Sequence, residues 1–355
     1  MGVFDKILKD SETLFQNELA LDYGFIPKII PFREAQQQYI ATCIKPLFQK
    51  HSGKNILIAG SPGIGKTVAV KHVLKELSDE TEEILPLYIN CWKKNTSYKV
   101  MLEMCELLDI KFIQALTTEQ LIKKLASILN KKPVVICLDE VDKLENNDIL
   151  YMLSEDISKK SIILITNERS WQVKLDSRIK SRLSLDFLEF QPYNKKETHE
   201  ILKQRVEYAF YPKVFNIEDL EPIAELSFQK KDIRTGIYLL KESGLIAEQF
   251  SSKNITPQHI QKALSKLQEF KIRNSQDLTD DKKSLLEFIK QNQNKTSQEL
   301  YELYSPETSY KTFQRRLQDL EQAGLVKLEV KDLGPGKSTI VSLPSSKIEK
   351  TLDKF

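Results

Sequence analysis

The residues with the clearest chemistry are Gly60-Ser61-Pro62-Gly63-Ile64-Gly65-Lys66-Thr67, which fit the pattern G-x-x-x-x-G-K-[ST]. The chemistry is phosphate binding. Glycines let the backbone curl so that successive N–H groups face an anion at a helix N-terminus. Lys66 then reaches the terminal phosphates of ATP or ADP, and the Thr67 hydroxyl ligates Mg²⁺. A chance glycine turn is disfavoured by context: the apolar run Asn55–Ala59 precedes the loop, and Val70, Val73, Leu74 and Leu77 follow at helical spacing.

Two further apolar runs end in polar groups. Pro133–Glu140 reads PVVICLDE, a buried strand closing on paired carboxylates. Behind a phosphate loop, Asp139 is expected to hold Mg²⁺ through water and Glu140 to orient and polarise an attacking water. Ser161–Asn167 reads SIILITN, and Asn167 is a candidate hydrogen-bond partner for that water or the γ-phosphate, although asparagine is also common at ordinary strand ends. Arg178 and Arg182, in LDSRIKSRL, share one face if the segment is helical. They are either a solvated basic face or a guanidinium offered to a phosphate on a neighbouring subunit. Arg234 follows Asp232, a candidate N-cap, at the start of a helix. For Tyr193 and Arg205, core packing is the default reading, and framing of a base or ribose is the alternative.

Positioning these groups requires an α/β layer. From 55 to 190 the chain alternates strand-like and helical stretches, with strands at Asn55–Ala59, Ile84–Asn90, Pro133–Asp139, Ser161–Thr166 and Asp186–Phe190, the signature of a five-stranded parallel sheet. After Gln191-Pro192-Tyr193-Asn194 the pattern turns all-helical: Lys195–Phe210, Ile217–Phe228, Asp232–Phe250 and Pro257–Phe270. Lys271–Asp280 reads as a linker. Beyond it lie helices at Asp281–Lys290, Ser297–Tyr304 and Ser309–Ala323 and strands at Leu325–Val330 and Thr339–Leu343, the order of a winged helix. The expected domains are a base over 1–192, an α-helical lid over 193–275 and a winged helix over 276–345.

In Ser309–Ala323, Phe313, Leu317 and Leu320 form an inward stripe. Lys311, Arg315, Gln318 and Gln322 point the other way, flanked by Tyr310, Thr312, Gln314 and Arg316. Polar and basic side chains at a helix N-terminus suit base edges and phosphates in a major groove. The turn Gly334–Ser338 adds Lys337 for a minor groove or backbone. Winged helices also serve as protein-interaction modules, and the net charge of the chain, +3, announces no nucleic acid by itself.

Composition excludes other classes. Hydrophobic residues at 41% and charged residues at 29% do not describe a fibrous or disordered chain. No apolar run nears the roughly 18 residues of a membrane span. Four cysteines (Cys43, Cys91, Cys105, Cys137) lack C-x-x-C spacing and a neighbouring histidine, so neither zinc nor a disulfide framework is encoded. A cytoplasmic protein with no membrane partner is the expectation.

Together these residues give the chain a resemblance, over about 20–343, to the archaeal origin-recognition initiators, AAA+ relatives of the largest subunit of the eukaryotic origin recognition complex and of its cell-division-cycle loading partner. It rests on Pro31-Phe32-Arg33-Glu34, LDEVDKL at Leu138–Leu144, LDSRIKSRL followed by QPY, KDIRTGIYLLKESGLIAE at Lys231–Glu248 and the C-terminal winged helix. The resemblance implies an AAA+ base, a lid carrying a sensor arginine (Arg234), and nucleotide contacts from Gly63, Ile64, Gly65, Lys66, Thr67, Val68, Tyr193 and Arg205. It further implies an extra DNA-contacting helical element within Asp109–Gln120, and a weak ATPase that binds double-stranded origin DNA, helps recruit the replicative helicase, works with paralogous initiator subunits and is nucleoid-associated. Two positions depart from the pattern: Ile64 replaces the usual threonine, and Lys231 replaces a glycine. Arg182 and Arg178 each match one version of the arginine-finger position. A clamp-loader or transposition-helper ATPase, or a signalling ATPase with a structural winged helix, are the rival readings.

Overall fold

The computed structural model describes residues 13–111, 113, 116–276, 280–292, 295–304, 309–322, 326–332 and 337–343. The chain divides into two compact units, Met1–Ile260 and Gln261–Phe355.

The first unit is built on strands β1 (Ile56–Ala59), β2 (Leu85–Asn90), β3 (Val134–Asp139), β4 (Lys160–Thr166) and β5 (Asp186–Glu189). All pair in parallel, in the order β2-β3-β4-β1-β5. Each expected strand is present with its ends within one residue. Around them run α1 (Glu34–Ile44), α2 (Lys66–Glu80), α3 (Ser97–Leu107), α4 (Thr118–Leu129), α5 (Asp148–Asp156) and α6 (Ser177–Leu183). Strand side chains alternate between two covered faces. Leu57, Ile136, Leu138, Ile162 and Leu164 pack with α3 to α6. Ile56, Ile58, Val135, Cys137, Ile163 and Ile165 pack with α1 and α2. Burial on both sides explains why β3 and β4 read as unbroken apolar runs.

The lid follows as α7 (Lys195–Ala209), α8 (Glu221–Lys230) and α9 (Ile233–Gln249); α10 (Pro257–Gln276) begins in the first unit and continues into the second. Asn194 and Glu197 close a capping box at the start of α7. The helix expected over Ile217–Phe228 is divided: a 3₁₀ turn at Ile217–Leu220 leads into α8, whose first turn holds Pro222, where the missing N–H costs no bond. The expected linker Lys271–Asp280 is helical as far as Gln276, and 277–279 lie outside the described residues.

The second unit carries α11 (Asp280–Gln291), β6 (Lys295–Thr296), α12 (Ser297–Tyr304), α13 (Tyr310–Gln322), β7 (Lys327–Asp332) and β8 (Lys337–Ser342). The antiparallel order is β6-β8-β7. Leu285, Ile289, Leu300, Phe313, Leu317, Leu320 and Val341 form its core, which accounts for the stripe read on the third helix. This is the winged-helix arrangement, with the two-residue β6 added to the expected hairpin. All four cysteines are free and buried. Among the described residues no helix is long and apolar enough to cross a membrane, and no cluster of three or more His, Cys, Asp or Glu is placed to hold a metal.

Candidate nucleotide-binding site

The glycine loop leaves β1 and turns into α2 at Lys66. Gly63 (φ 74°) and Gly65 (φ 89°) take left-handed conformations, and both are tightly approached. A Cβ on Gly63 would lie 1.9 Å from Asp232 Oδ1, and one on Gly65 2.5 Å from the Tyr193 hydroxyl. Lys66 is buried, and its ammonium donates to the carbonyls of Gly60 (2.7 Å) and Ser61 (2.8 Å) and to Asn167 Oδ1 (2.9 Å). Burial lowers its pKa to about 8, against the opposing charge of Asp139. Ile64 is fully buried in the core beneath the loop, so only its backbone is available to a ligand.

Parallel pairing sets the ends of β1, β3 and β4 side by side, and this brings the predicted polar residues together. Asp139 Oδ2 accepts the hydroxyls of Thr67 and Tyr88, each at 2.7 Å, while Oδ1 accepts the Glu140 N–H at 2.9 Å. Glu140 sits in the left-handed region (φ 57°), and burial, then the charges of Asp139 and Asp142, raises its pKa. Asp142 accepts the Asn167 N–H (3.2 Å) and the Thr166 hydroxyl (3.0 Å) and pairs with Lys143 (3.1 Å). Burial works to raise the Asp142 pKa, but these donors outweigh it and leave the carboxyl below its ordinary value. Asp142 therefore ties the β3 end to the β4 end and fixes Asn167. It lies inside LDEVDKL, whose spacing does not reveal this tie.

The lid meets the loop directly. The Ile233 N–H donates to the Gly63 carbonyl at 3.1 Å. Asp232 caps α9 through the Arg234 N–H (2.9 Å) and pairs with the Arg234 side chain at 2.7 Å. Arg234 faces a cavity of about 480 Å³ whose walls also include Lys66, Thr67, Val68, Asp139, Glu140, Asn167 and Tyr193. The loop is clipped from behind by Arg33, a residue quoted in the sequence pattern without a role. Its guanidinium donates to the carbonyls of Ile64 (2.9 Å) and Gln191 (2.7 Å) and lies 3.9 Å from the centre of the Tyr193 ring.

The far wall of the cavity is a strap that includes Tyr23, Phe25, Ile26, Pro27 and Ile30. Arg205 lines the cavity but directs its guanidinium to this strap, at the carbonyls of Ala20 (2.9 Å) and Phe25 (3.5 Å). His72 on α2 reaches the Lys28 carbonyl at 3.0 Å, so the strap is anchored on both lid and base. Nothing in the residue spacing announces these pairings, which join positions far apart in the chain.

Arg178 and Arg182 stand on one short helix, α6, outside the residues lining the cavity. Arg182 is engaged by Glu155 and lies over Tyr151, whereas Arg178 pairs with its own cap, Asp176, and its side chain is 82% exposed. On α13, Lys311, Gln314 and Arg315 are exposed and Thr312 is half-buried beside Ser309. Tyr310 instead turns inward: its hydroxyl bonds Ser297 at 2.9 Å and its ring packs edge-on against Tyr301. Lys337 opens β8, but its side chain and 333–336 of the wing lie outside the described residues. The helical element expected within Asp109–Gln120 falls partly on residues outside the described ones. The described residues between α3 and α4 are non-helical, and α4 begins only at Thr118, capped by Thr117 and Gln120; 112, 114 and 115 lie outside them.

Residues 49–170 match the family model of the AAA domain, and 199–265 match the Cdc6 AAA+ ATPase-type lid domain. The fold and site thus define an AAA+ P-loop ATPase with its lid. The chain is 33% identical over 276 residues to the ORC1-type DNA replication protein 1 of Sulfurisphaera tokodaii, covering 74% of this chain and 69% of that protein. It is 27% identical over 359 residues to the ORC1-type DNA replication protein 2 of Methanothermobacter thermautotrophicus, covering 95% and 94%. The Aeropyrum pernix ORC1 protein, solved in complex with DNA, shares the fold with a TM-score of 0.75 and 24% identity over 97% of this chain and 98% of that one. The protein belongs to the family of ORC1-type DNA replication proteins.

Proposed function

We propose that this protein is a replication initiator that binds duplex origin DNA and uses its bound nucleotide as a switch, with slow hydrolysis of ATP. One observation carries the switch: the Ile233 N–H bonded to the Gly63 carbonyl at 3.1 Å makes the phosphate loop and the start of the sensor helix a single joint. A triphosphate seated in that loop sets where α9 stands. The DNA half of the reading is supported by relatives named DNA replication proteins, by a fold shared with an ORC1 protein solved with DNA, and by Lys311 and Arg315 exposed on α13.

Within the site, Lys66 exchanges its carbonyl partners for phosphate oxygens, and the loop N–H groups cradle the same charge. Asn167 holds Lys66 and faces the terminal phosphate, while Glu140 orients the attacking water and takes its proton. Arg234 carries the lid's charge to the γ-phosphate. The Thr67 hydroxyl and the Asp139 carboxylate, 2.7 Å apart, are hard oxygen donors that fit Mg²⁺ and would hold it. When bound, Mg²⁺ supplies charge neutralisation at the phosphate oxygens. A complete site takes a guanidinium from a paralogous or identical partner, and the exposed Arg178 is the group offered. Recruitment of the replicative helicase and a nucleoid location in the cytoplasm belong to the same reading.

The test is duplex footprinting with the whole protein in ATP, in ADP and without nucleotide. Protected sites are expected to change with nucleotide in the wild type and not in Lys66→Ala. Identical footprints across all states would overturn the switch, and no protection of any duplex would overturn the initiator reading.

A further inference from the structure

Tyr88 stands on β2, the strand beside β3, in register with Cys137, and no motif in the chain calls for it. Its hydroxyl donates to Asp139 Oδ2 at 2.7 Å. The same oxygen accepts the Thr67 hydroxyl at 2.7 Å. The other carboxylate oxygen accepts the Glu140 N–H at 2.9 Å. The phenol lines the nucleotide cavity, and the Lys71 ammonium lies 4.3 Å over its ring. Burial, followed by the charge of Asp139, raises the phenol's pKa, which keeps the hydroxyl a donor.

These contacts set a geometric condition. Thr67 turns its lone pairs outward to a cation only while its proton is taken, and the acceptor is Oδ2 of Asp139. The carboxylate can turn about its terminal torsion, a broad and soft rotation. Donors from three places oppose it: α2 through Thr67, the backbone after β3 through Glu140, and β2 through Tyr88. Of the three, only Tyr88 is a side chain with no part in holding phosphate or activating water.

We propose that Tyr88 is a positioning residue for the divalent cation, holding Asp139 in the rotamer that orients the Thr67 hydroxyl. The inference rests on the nucleotide reading above. Groups that orient metal-holding side chains typically contribute on the order of tenfold or more to metal affinity. Tyr88→Phe removes one oxygen and keeps the ring beneath Lys71.

The experiment titrates Mg²⁺ into the full chain with a fluorescent ATP analogue, reading binding rather than turnover, with a parallel titration in EDTA. For Tyr88→Phe the half-saturating Mg²⁺ concentration is expected to rise on the order of tenfold, with affinity in EDTA unchanged. An unchanged or lower Mg²⁺ midpoint would overturn the proposal, as would an equal loss in EDTA. If the variant melts early, the cycle with Asp139→Asn decides. Tyr88→Phe should add nothing in that background, and a full additional shift would overturn action through Asp139. Lys66→Ala, run alongside, is expected to lose the analogue. If it retains binding, the nucleotide reading itself fails, which is distinct from failure of the Tyr88 assignment.

Discussion

The guanidinium of Arg33 lies over the ring of Tyr193, 3.9 Å from its centre, while bonding the carbonyls of Ile64 and of Gln191. One buried cation thus links the back of the phosphate loop to the hinge where the sheet passes into the lid. Because a trans peptide points its C=O and N–H in opposite directions, aiming the Ile64 carbonyl at Arg33 turns the Gly65 N–H the other way, the orientation a phosphate in the loop needs.

Arg33→Lys keeps the charge but loses the planar fork and the ring contact. Affinity for ATP and for ADP is expected to fall together, by about tenfold or more, the loss of roughly one to two charge-assisted bonds. Isothermal titration of both nucleotides checks this. A loss confined to ATP would place the effect at the γ-phosphate instead.

Nucleotide affinity should depend on pH through Lys66, whose burial puts its pKa near 8 in the free protein. Phosphate requires the ammonium form, so above that pH binding must take up a proton. The dissociation constant is expected to rise towards about tenfold per pH unit between pH 8 and 9.5. Titrations in buffers of different ionisation enthalpy would reveal the matching proton uptake.

Lys231 ends α8 at φ 53° and ψ 34°, a left-handed cap where a side chain is costly. The glycine expected there by family likeness has a backbone reason. Lys231→Gly should stabilise the protein by about 0.5–1 kcal/mol after the added chain entropy is deducted. Urea unfolding measures it, with a lowered midpoint as the contrary result.

On α13 the two halves of the helix start separate cleanly. Arg315→Ala should weaken duplex binding and reduce the slope of log K against log salt by about 0.9, one phosphate's worth. Tyr310→Phe should leave binding within about twofold and cost about 1 kcal/mol of winged-helix stability, since its hydroxyl serves Ser297. Fluorescence anisotropy at several salt concentrations separates the two.

Much of this molecule is legible in its sequence for a physical reason. Strands covered on both faces must be apolar throughout, so β3 and β4 announce themselves, and a phosphate loop requires glycines at fixed offsets. What escapes is contact between distant segments. Arg33 meets Gln191, Tyr88 meets Asp139 and Arg205 meets Ala20, and none of these pairs leaves a periodic trace. β6 is two residues long, below the length at which alternation exists. Tyr310 shows the opposite failure, because the helical wheel gives a flank position but not the neighbour, Ser297, that draws the ring inward.

The tie between Ile233 and Gly63 is made of main chain on both sides, so ordinary side-chain drift cannot erase it. Genetic change can remove its donor without touching the glycine loop by placing proline at 233. That residue opens α9, where a helix accepts proline readily, so the tie would vanish while the helix stands. A chain carrying Ile233→Pro would keep Arg234 at the cavity but lose the main-chain tie between loop and lid, separating the two routes by which a bound nucleotide reaches α9.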